Sequence, residues 1–232
     1  TISAAQKAAN PNVVTKEVIR DGAKFDLATN LVDVTRYDYQ DNIFQTAYGT
    51  DNFVNVSGGS DKSRYFASVS YMKNGGIIKN TDFSRLNLRL NLDQQLTSWA
   101  SLAVGLNAIN SKAKELPSGN VFFSPINGIN ITNNIWDATA RDANGNLKAV
   151  EPTRINPLTT VETFDFNQNV NRGISNIKLS LFPLEGLKLD LIAGLDAFSQ
   201  SGNQYIPVYP YANVNILYYA NGYASSTTNN SL

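Results

Sequence analysis

The sequence of 232 residues contains neither cysteine nor histidine. Their absence excludes disulfides, thiol nucleophiles, Ser-His and Cys-His catalytic pairs, and structural zinc sites. Paired carboxylates with enzymatic spacing are missing as well, because Glu115, Glu151, Glu162 and Glu185 fall in loops or turns without an acidic partner. We therefore expect no catalytic residue, no bound metal and no cofactor, and we do not expect an enzyme.

Surplus charge and long apolar runs are also absent. The 19 basic residues balance the 19 acidic residues, which argues against a nucleic-acid partner because neutralising phosphates requires a basic excess. No apolar run reaches ~18 residues and no signal-peptide pattern opens the sequence, so we expect no helical membrane span. Transmembrane strands remain possible, since each needs only about 9–11 residues and alternates in polarity.

The pattern that is present is strict alternation, and it is clearest in residues 85–93. Leu86, Leu88, Leu90 and Leu92 alternate there with amide and charged side chains. A period of two predicts a β-strand with one apolar face and one polar face. The leucines could face the core of a soluble sandwich. Alternatively, they could face the lipid around a membrane barrel while the polar row faces enclosed water.

The same alternation recurs along the chain and predicts six strands. Their ranges are 52–57, 63–72, 82–93, 100–110, 169–182 and 187–198, with a further possible strand at 214–219. Between the fourth and fifth strands lies a long loop, 111–168, in which Asp-Ala-Asn-Gly-Asn at 142–146 predicts a hairpin turn. That turn faintly resembles a calcium loop, but the third acidic position and the closing Glu are missing.

Residues 1–50 do not read as strands. The Ala-rich run 3–9 predicts a short helix that Pro11 stops. A second helical turn is expected at 41–47, with Asp41 as its N-cap. We therefore expect this part of the chain to contain short helices and no strands.

The connections between the predicted strands alternate in length. Tight turns at 58–62 and 183–186 and a short connection ending at Trp99 alternate with longer loops. All short connections then fall at one end of the strands, which is typical of transmembrane barrels and has no cause in a sandwich.

Aromatic residues collect near the ends of the predicted strands. They are Tyr65, Trp99 and Phe182 beside short turns and Tyr71, Phe83 and Phe198 beside longer connections. Tyr65 and Tyr71 share a face and lie roughly 20 Å apart at ~3.3 Å per residue. This separation fits the two aromatic girdles of a membrane barrel, so the pattern favours the barrel over the sandwich.

Particular segments carry a resemblance to a known family. They are 56–66 (Val-Ser-Gly-Gly-Ser-Asp-Lys-Ser-Arg-Tyr-Phe), 76–78, 82–85 and 90–93, with 142–145, 156–158 and 184–189 following in order. Upstream, 39–47 matches an aromatic-Gln-Asp-x-Ile-Phe-x-Thr-Ala pattern, with Tyr39 where the family usually has Trp. Over roughly residues 37–200 the chain resembles the barrel of SusC/RagA-type TonB-linked outer-membrane proteins.

This resemblance implies an importer in the outer membrane of a Gram-negative bacterium. Such a transporter takes up glycan or peptide fragments, is driven by the TonB complex and works with a SusD-like surface lipoprotein. Its barrel of 22 strands surrounds a plug and contacts outer-membrane lipid. The chain would then be an all-β, antiparallel segment from inside that barrel, with long extracellular loops, and the TonB contact would lie outside it.

The resemblance also implies where each part of the chain lies. Residues 1–50 would be an extracellular loop segment between barrel strands, and 51–110 would be four barrel strands. A long extracellular loop would occupy 111–168, and two further strands 169–200. Residues 201–232 would hold another extracellular loop with a possible further strand.

Two groups of residues are candidates for contact with solute. The first is expected to line the lumen, where it would meet plug, water or solute; it comprises Asn87, Arg89, Asn91, Lys178, Lys188 and Asp190. The second is Trp136 with Asp137 in the long loop, which could stack on and hydrogen-bond a sugar ring or could stabilise the loop itself. Two alternative folds stay open: a secreted β-sandwich that binds carbohydrate, and a small closed barrel of eight strands, which the long loop fits poorly.

Overall fold

The computed structural model describes residues 1–29, 35–121, 123–150, 155–208 and 221–232. The chain divides into two compact units, Thr1–Arg36 and Tyr37–Leu232. No helix in the described ranges is both long and apolar enough to cross a membrane.

The first unit combines a short helix with a β-hairpin. Helix α1 spans Ala4–Ala9 as predicted, and a capping box between Ser3 and Gln6 satisfies its first backbone N–H groups. Strands β1 (Thr15–Arg20) and β2 (Ala23–Ala28) pair antiparallel, so the prediction of no strands in residues 1–50 is wrong. The overlooked signal is Asp21-Gly22, whose positive φ angles of 52° and 77° form the two-residue hairpin turn.

The second unit is built on one antiparallel sheet of seven strands in sequential order, β3 to β9. All six strands predicted from alternation are present, and each is longer than predicted. The tail forms β9, which the sequence did not predict, whereas the possible strand at 214–219 lies outside the described residues. The bounds are β3 Gly49–Gly59, β4 Ser63–Gly75, β5 Asp82–Thr97, β6 Ala100–Glu115, β7 Asp165–Leu184, β8 Leu187–Ile206 and β9 Tyr223–Ser231.

Short and long connections alternate along the sheet, as predicted. The strands β3 and β4, β5 and β6, and β7 and β8 are joined by two or three residues each. The connections after β4, β6 and β8 are longer, and the one after β6 holds two helices. Because neighbouring strands run antiparallel, every short turn lies at one end of the sheet and every long connection at the other, which we call the loop end.

The pairing register places the leucine rows on one continuous face of the sheet. Leu88 of β5 lies opposite Val69 of β4 and Ala108 of β6, and farther along Leu179 of β7 lies opposite Leu191 of β8. These side chains are not buried between two sheets: Leu88 is 46 % exposed and Leu191 is 52 % exposed. The β-sandwich alternative is therefore wrong, because one sheet with an uncovered apolar face has no sandwich core.

The apolar face has a limited height. In β8 it runs from Leu187 to Ala197, about 33 Å at ~3.3 Å per residue, which a tilt of roughly 40° reduces to about 25 Å. Toward the loop end the same face becomes polar, where Nδ2 of Asn110 donates to Oδ1 of Asn171 at 2.7 Å and lies 3.0 Å from Oδ1 of Asn169. The apolar band thus matches the thickness of a bilayer's hydrocarbon layer.

The predicted aromatic girdles are only partly present on this face. Tyr65 and Tyr71 lie opposite Leu92 and Leu86 on the leucine face. Phe83 pairs with Ala113 and Phe198 with Arg172, however, on the opposite, polar face. The expectation that Phe83, Phe182 and Phe198 belong with the girdles is therefore wrong, because each lies an odd number of residues from the leucines of its own strand. Phe182 contacts Lys188 of the polar face, whose Nζ lies 5.9 Å from the ring centroid.

The hydrophobic core lies at the loop end and not within the sheet. Helices α2 (Tyr39–Ile43), α3 (Pro125–Ile131) and α4 (Pro157–Thr163) supply much of it. Helix α2 begins earlier than the predicted range 41–47 and its N-cap is Asp38, not Asp41, because Asp38 accepts a hydrogen bond from the N–H of Gln40. The long connection is thus a folded layer. The core that it forms with α2 and the end of β8 has buried apolar side chains that include Tyr39, Ile43, Leu147, Val150, Ile155, Leu158, Val161, Phe164 and Ile206.

Candidate functional site

The predicted lumen residues of β5 lie on the face opposite the leucines. Arg89 pairs with Ser68 of β4 and with Asn107 of β6, and Asn87 and Asn91 lie in the same row. In the described part of the chain, Oδ1 of Asn87 and Oδ1 of Asn107 are buried without a hydrogen-bond donor. Since buried polar atoms are normally hydrogen-bonded, this row has acceptor capacity that the chain itself does not use.

The other predicted lumen residues form one charged cluster near the short-turn end of the polar face. The Asp190 carboxylate accepts a hydrogen bond from Ser180 Oγ at 2.5 Å. Lys178 Nζ and Lys188 Nζ lie 3.6 Å and 3.2 Å from its other oxygen. The hydrogen-bonding and ion-pairing partners of these groups therefore lie within the cluster, and solvent exposure keeps the ion pairs weak. A second pair on this face, between the Arg172 guanidinium and the Asp196 carboxylate, was not predicted.

Trp136 and Asp137 lie in the folded loop, and both contribute to its structure. The hydroxyl oxygen of Tyr39 lies 2.8 Å from the backbone carbonyl oxygen of Trp136 and 2.8 Å from that of Asn133. The Asp137 carboxylate accepts hydrogen bonds from Oγ1 and N–H of Thr139, at 2.7 Å and 2.9 Å. These bonds hold the pKa of Asp137 below its usual value. Trp136 as a whole is 41 % exposed.

Asn156, which the sequence marked only as part of the resembling segment 156–158, stabilises the folded loop. Its side chain is completely buried, and Nδ2 donates to the carbonyl oxygens of Ala138 and Lys148 at 2.8 Å and 2.9 Å. Its Oδ1 accepts from the N–H of Leu158 at 2.9 Å, which makes Asn156 the N-cap of α4. One side chain therefore joins three segments of the loop. An Asn before a Pro at the start of a helix was the available signal.

The turn at 142–146 is a hairpin turn, as predicted. Asp142 Oδ1 accepts hydrogen bonds from the N–H groups of Asn144 and Asn146, at 2.8 Å and 2.9 Å, and Arg141 pairs with Leu147 across it. The hydrogen bond from the Asn146 N–H is the main reason that the pKa of Asp142 is lowered. The carboxylate is thus used by the turn's own backbone.

A polar cleft of about 310 Å³ lies on the polar face at the loop end of β6 to β9. The register places Gly202 beside Gln168 of β7 and Thr227 of β9. We call this the amide cleft, because side-chain amides and hydroxyls dominate its lining; they include Gln168, Gln200, Gln204, Ser225, Thr227 and Asn229. The sequence pattern did not indicate this cleft, because the cleft is assembled by the pairing of β8 with β9, a strand that was not predicted.

The core of the loop holds one end of the amide cleft in place. Phe166 and Tyr223, which line the cleft, also pack against the buried cluster of Ile155, Phe164 and Ile206. The rings of Phe164 and Phe166 lie 5.9 Å apart between centroids, a usual separation for a stabilising aromatic pair. The folded loop and the cleft are therefore parts of one packed structure.

Comparisons with known proteins agree with this architecture. No protein-family model matches the chain. It is 40 % identical over 55 residues to the TonB-dependent receptor SusC of Bacteroides thetaiotaomicron, covering 24 % of the chain and 6 % of that protein. It is 27 % identical over 177 residues to the TonB-dependent receptor P39 of Formosa agariphila, covering 73 % of the chain and 16 % of that protein.

Solved structures show the same fold. The RagAB peptide importer in its closed-closed state matches with a TM-score of 0.61 at 21 % identity, covering 78 % of the chain and 21 % of that protein chain. A structure of the RagAB peptide transporter matches with a TM-score of 0.61 at 20 % identity, covering 90 % of the chain and 23 % of that protein chain. The chain spans less than a quarter of the length of each relative. The relatives, all named TonB-dependent receptors, and the fold shared with RagAB together support a barrel segment of the SusC/RagA type.

Proposed function

We propose that β3 to β9 form part of the wall of a TonB-dependent importer of oligosaccharide or peptide nutrients in a Gram-negative outer membrane. The supporting observation is the two-sided sheet: an exposed leucine face about as tall as a bilayer's hydrocarbon layer, backed by a face of amides and charges. Outer-membrane lipid covers the first face. The second lines the lumen, and with it the candidate residues Asn87, Arg89, Asn91, Lys178, Lys188 and Asp190.

The partners follow from the same proposal. The loop end, with α2 to α4, faces the cell exterior, where a SusD-like lipoprotein closes over the mouth. Trp136 and Asp137 lie in that outer layer. The TonB complex engages a part of the receptor outside this chain and drives import, and a plug fills the lumen.

Leu191 and Ile192 provide a direct test of orientation. They are adjacent aliphatic residues of β8, both exposed (52 % and 72 %), and they point to opposite faces of the sheet. In the full-length receptor reconstituted in lipid vesicles, each is replaced by cysteine after any other cysteine has been removed, and each is spin-labelled. Collision with oxygen reports contact with lipid, and collision with a water-soluble nickel complex reports contact with water.

We expect the label at Leu191→Cys to collide mainly with oxygen and the label at Ile192→Cys mainly with the nickel complex. Leu88→Cys and Arg89→Cys on β5 repeat the comparison on a second strand. Equal access of the nickel complex to both labels of a pair would show that water covers both faces and would refute the barrel wall.

A further inference from the structure

We propose that the amide cleft is a binding site for an uncharged oligosaccharide. This inference rests on the proposed function, because it takes the polar face as the lumen and so places the cleft where solute enters. At about 310 Å³ the cleft lies near the lower limit for small-molecule sites. That volume suits one or two sugar units of a longer chain.

Three glutamine side chains of the cleft are not used by the described part of the chain. Within the described residues, the side chains of Gln168, Gln200 and Gln204 make no hydrogen bond to another part of the protein. Elsewhere in the same layer comparable groups are occupied: the Asn156 amide bonds to three loop segments, and the Asp137 carboxylate holds Thr139. The cleft therefore keeps hydrogen-bonding capacity free at a surface held by a packed core.

The chemistry of these groups matches sugar hydroxyls. A side-chain amide offers donors and acceptors together, and a sugar hydroxyl is both donor and acceptor, so each Gln can bond to a pair of neighbouring hydroxyls. Phe166 and Tyr223 add aromatic surface at the end of the cleft, against which the C–H face of a sugar ring can pack. The loop core fixes both rings, which reduces the entropy lost on binding.

The charge of the lining selects among solutes. Glu115 is the one charged residue among the described residues that line the cleft. With a carboxylate and no cationic side chain, the lining repels uronic acids and sulfated sugars. It also offers nothing to neutralise the C-terminal carboxylate of a peptide. An uncharged oligosaccharide fits this surface better than a peptide or an acidic glycan.

Gly202 gives the cleft its depth and supplies a clean test. It lies in the polar row between Gln200 and Gln204 with no side chain of its own, and an added Cβ would approach only the backbone oxygen of Asn167, at 3.7 Å. A Gly202→Val substitution therefore fills the cleft without straining the strand. Gly194 is a matched control because it lies on the same face of β8, and its added Cβ would approach only the backbone oxygen of Ser175, also at 3.7 Å.

The experiment measures binding by calorimetry with the purified full-length receptor in detergent. The probes are maltohexaose, cellohexaose, xylohexaose and mannohexaose as uncharged sugars, hexagalacturonic acid as an acidic sugar, and hexaalanine as a peptide. We expect at least one uncharged sugar to bind more tightly than the acidic sugar and the peptide. Gly202→Val should weaken that binding about tenfold or more, as expected when a ligand loses several polar contacts, and Gly194→Val should leave it unchanged.

Three results would overturn the proposal: no binding of any uncharged sugar, tighter binding of hexagalacturonic acid or hexaalanine, or equal effects of the two glycine substitutions. The labelling of Leu191→Cys and Ile192→Cys separates this failure from failure of the proposed function. The label at Leu191→Cys could report lipid and the label at Ile192→Cys water, as expected, while the receptor binds no uncharged sugar. In that case the proposed barrel wall is supported and the assignment of the cleft is refuted.

Discussion

The ring of Tyr65 on β4 covers Gly58 on β3, its direct partner in the sheet. A Cβ atom added at Gly58 would lie 2.5 Å from Oη of Tyr65 and 2.7 Å from its Cζ. The ring therefore occupies the space that a side chain at Gly58 would need. This contact lies on the leucine face, beside the tight turn between β3 and β4.

The Tyr65–Gly58 contact predicts a strong cost for a side chain at position 58. Gly58→Val should destabilise the full-length receptor in lipid vesicles by about 1–3 kcal/mol, because the ring must leave its position. Urea unfolding followed by heat-modifiable gel migration measures this change. Gly173→Val on the same face is the control, since an added Cβ there would meet no atom within 4 Å.

A double-mutant cycle isolates the ring as the cause. In the Tyr65→Ala background the space above Gly58 is empty, so Gly58→Val should cost little there. An equal cost of Gly58→Val in both backgrounds would show that the ring does not restrict position 58.

Leu90 and Asn91 predict opposite tolerance of charge. Leu90 is 52 % exposed on the apolar face, and Asn91 follows it on the polar face. Leu90→Arg should destabilise the folded receptor in vesicles by about 2–4 kcal/mol, because the charge enters the middle of the hydrocarbon layer. Asn91→Arg should change stability much less, and similar losses for both substitutions would contradict the assignment of the two faces.

Asn156 predicts local unfolding of the loop when its amide is removed. Asn156→Ala leaves the carbonyl oxygens of Ala138 and Lys148 and the N–H of Leu158 without their partner. At about 1 kcal/mol for each hydrogen bond, the loop should lose roughly 3 kcal/mol. Hydrogen exchange across 138–164 in the full-length receptor should become faster, while the strands stay protected.

Asn127→Ala is the matched control for the loop. Asn127 also donates its side-chain amide to a backbone carbonyl, that of Val121 at 3.2 Å, but does so at an exposed position. Its replacement should leave exchange in 138–164 nearly unchanged. If both substitutions accelerated hydrogen exchange across 138–164 equally, the stabilising effect of Asn156 would not depend on its burial.

Asp142 predicts that the hairpin turn depends on pH. The Asn146 N–H holds the pKa of Asp142 below its usual 3.8, and in the unfolded loop that bond is absent, so the pKa returns to about 3.8. The carboxylate therefore stabilises the turn above pH 3.8, and this contribution disappears as the pH falls through the lower pKa of the folded turn.

Exchange of the Asn144 and Asn146 amides, corrected for its intrinsic dependence on pH, measures this effect. Protection should persist at pH 3.8 and decline below it. In Asp142→Asn, which keeps an acceptor oxygen but does not titrate, protection should no longer change in this range. A decline of the same size in both proteins would assign the effect to another group.

Local pattern determined much of the sheet. Strict alternation in 82–93 and 187–198 predicted strands because successive side chains point to opposite faces, whatever lies on either side. The lengths of the connections predicted which end of the sheet holds the loops. The family resemblance of 37–200, which rests on short segments of strands, turns and loops, agrees with the fold.

The wrong predictions about strands and girdles also have physical causes. The hairpin Thr15–Ala28 was overlooked, although Asp21-Gly22 predicts its turn and apolar residues alternate with polar ones in Ala23–Ala28. Phe83 and Phe198 were placed with the girdles by their distance from strand ends. The face on which a side chain lies depends on register, however, and a shift of one residue reverses it.

The sequence by itself determined that this protein has alternating strands with one leucine face and one polar face, since those properties depend on neighbours in the chain. Only the tertiary structure decided what meets at the loop end. Asn156 stabilises the loop because the fold brings the carbonyl oxygens of Ala138 and Lys148 to its side-chain amide. The amide cleft exists because β8 pairs with β9 around Gly202. Such contacts join residues that are not neighbours in the chain, and the free energy of packing the whole layer determines which of them form.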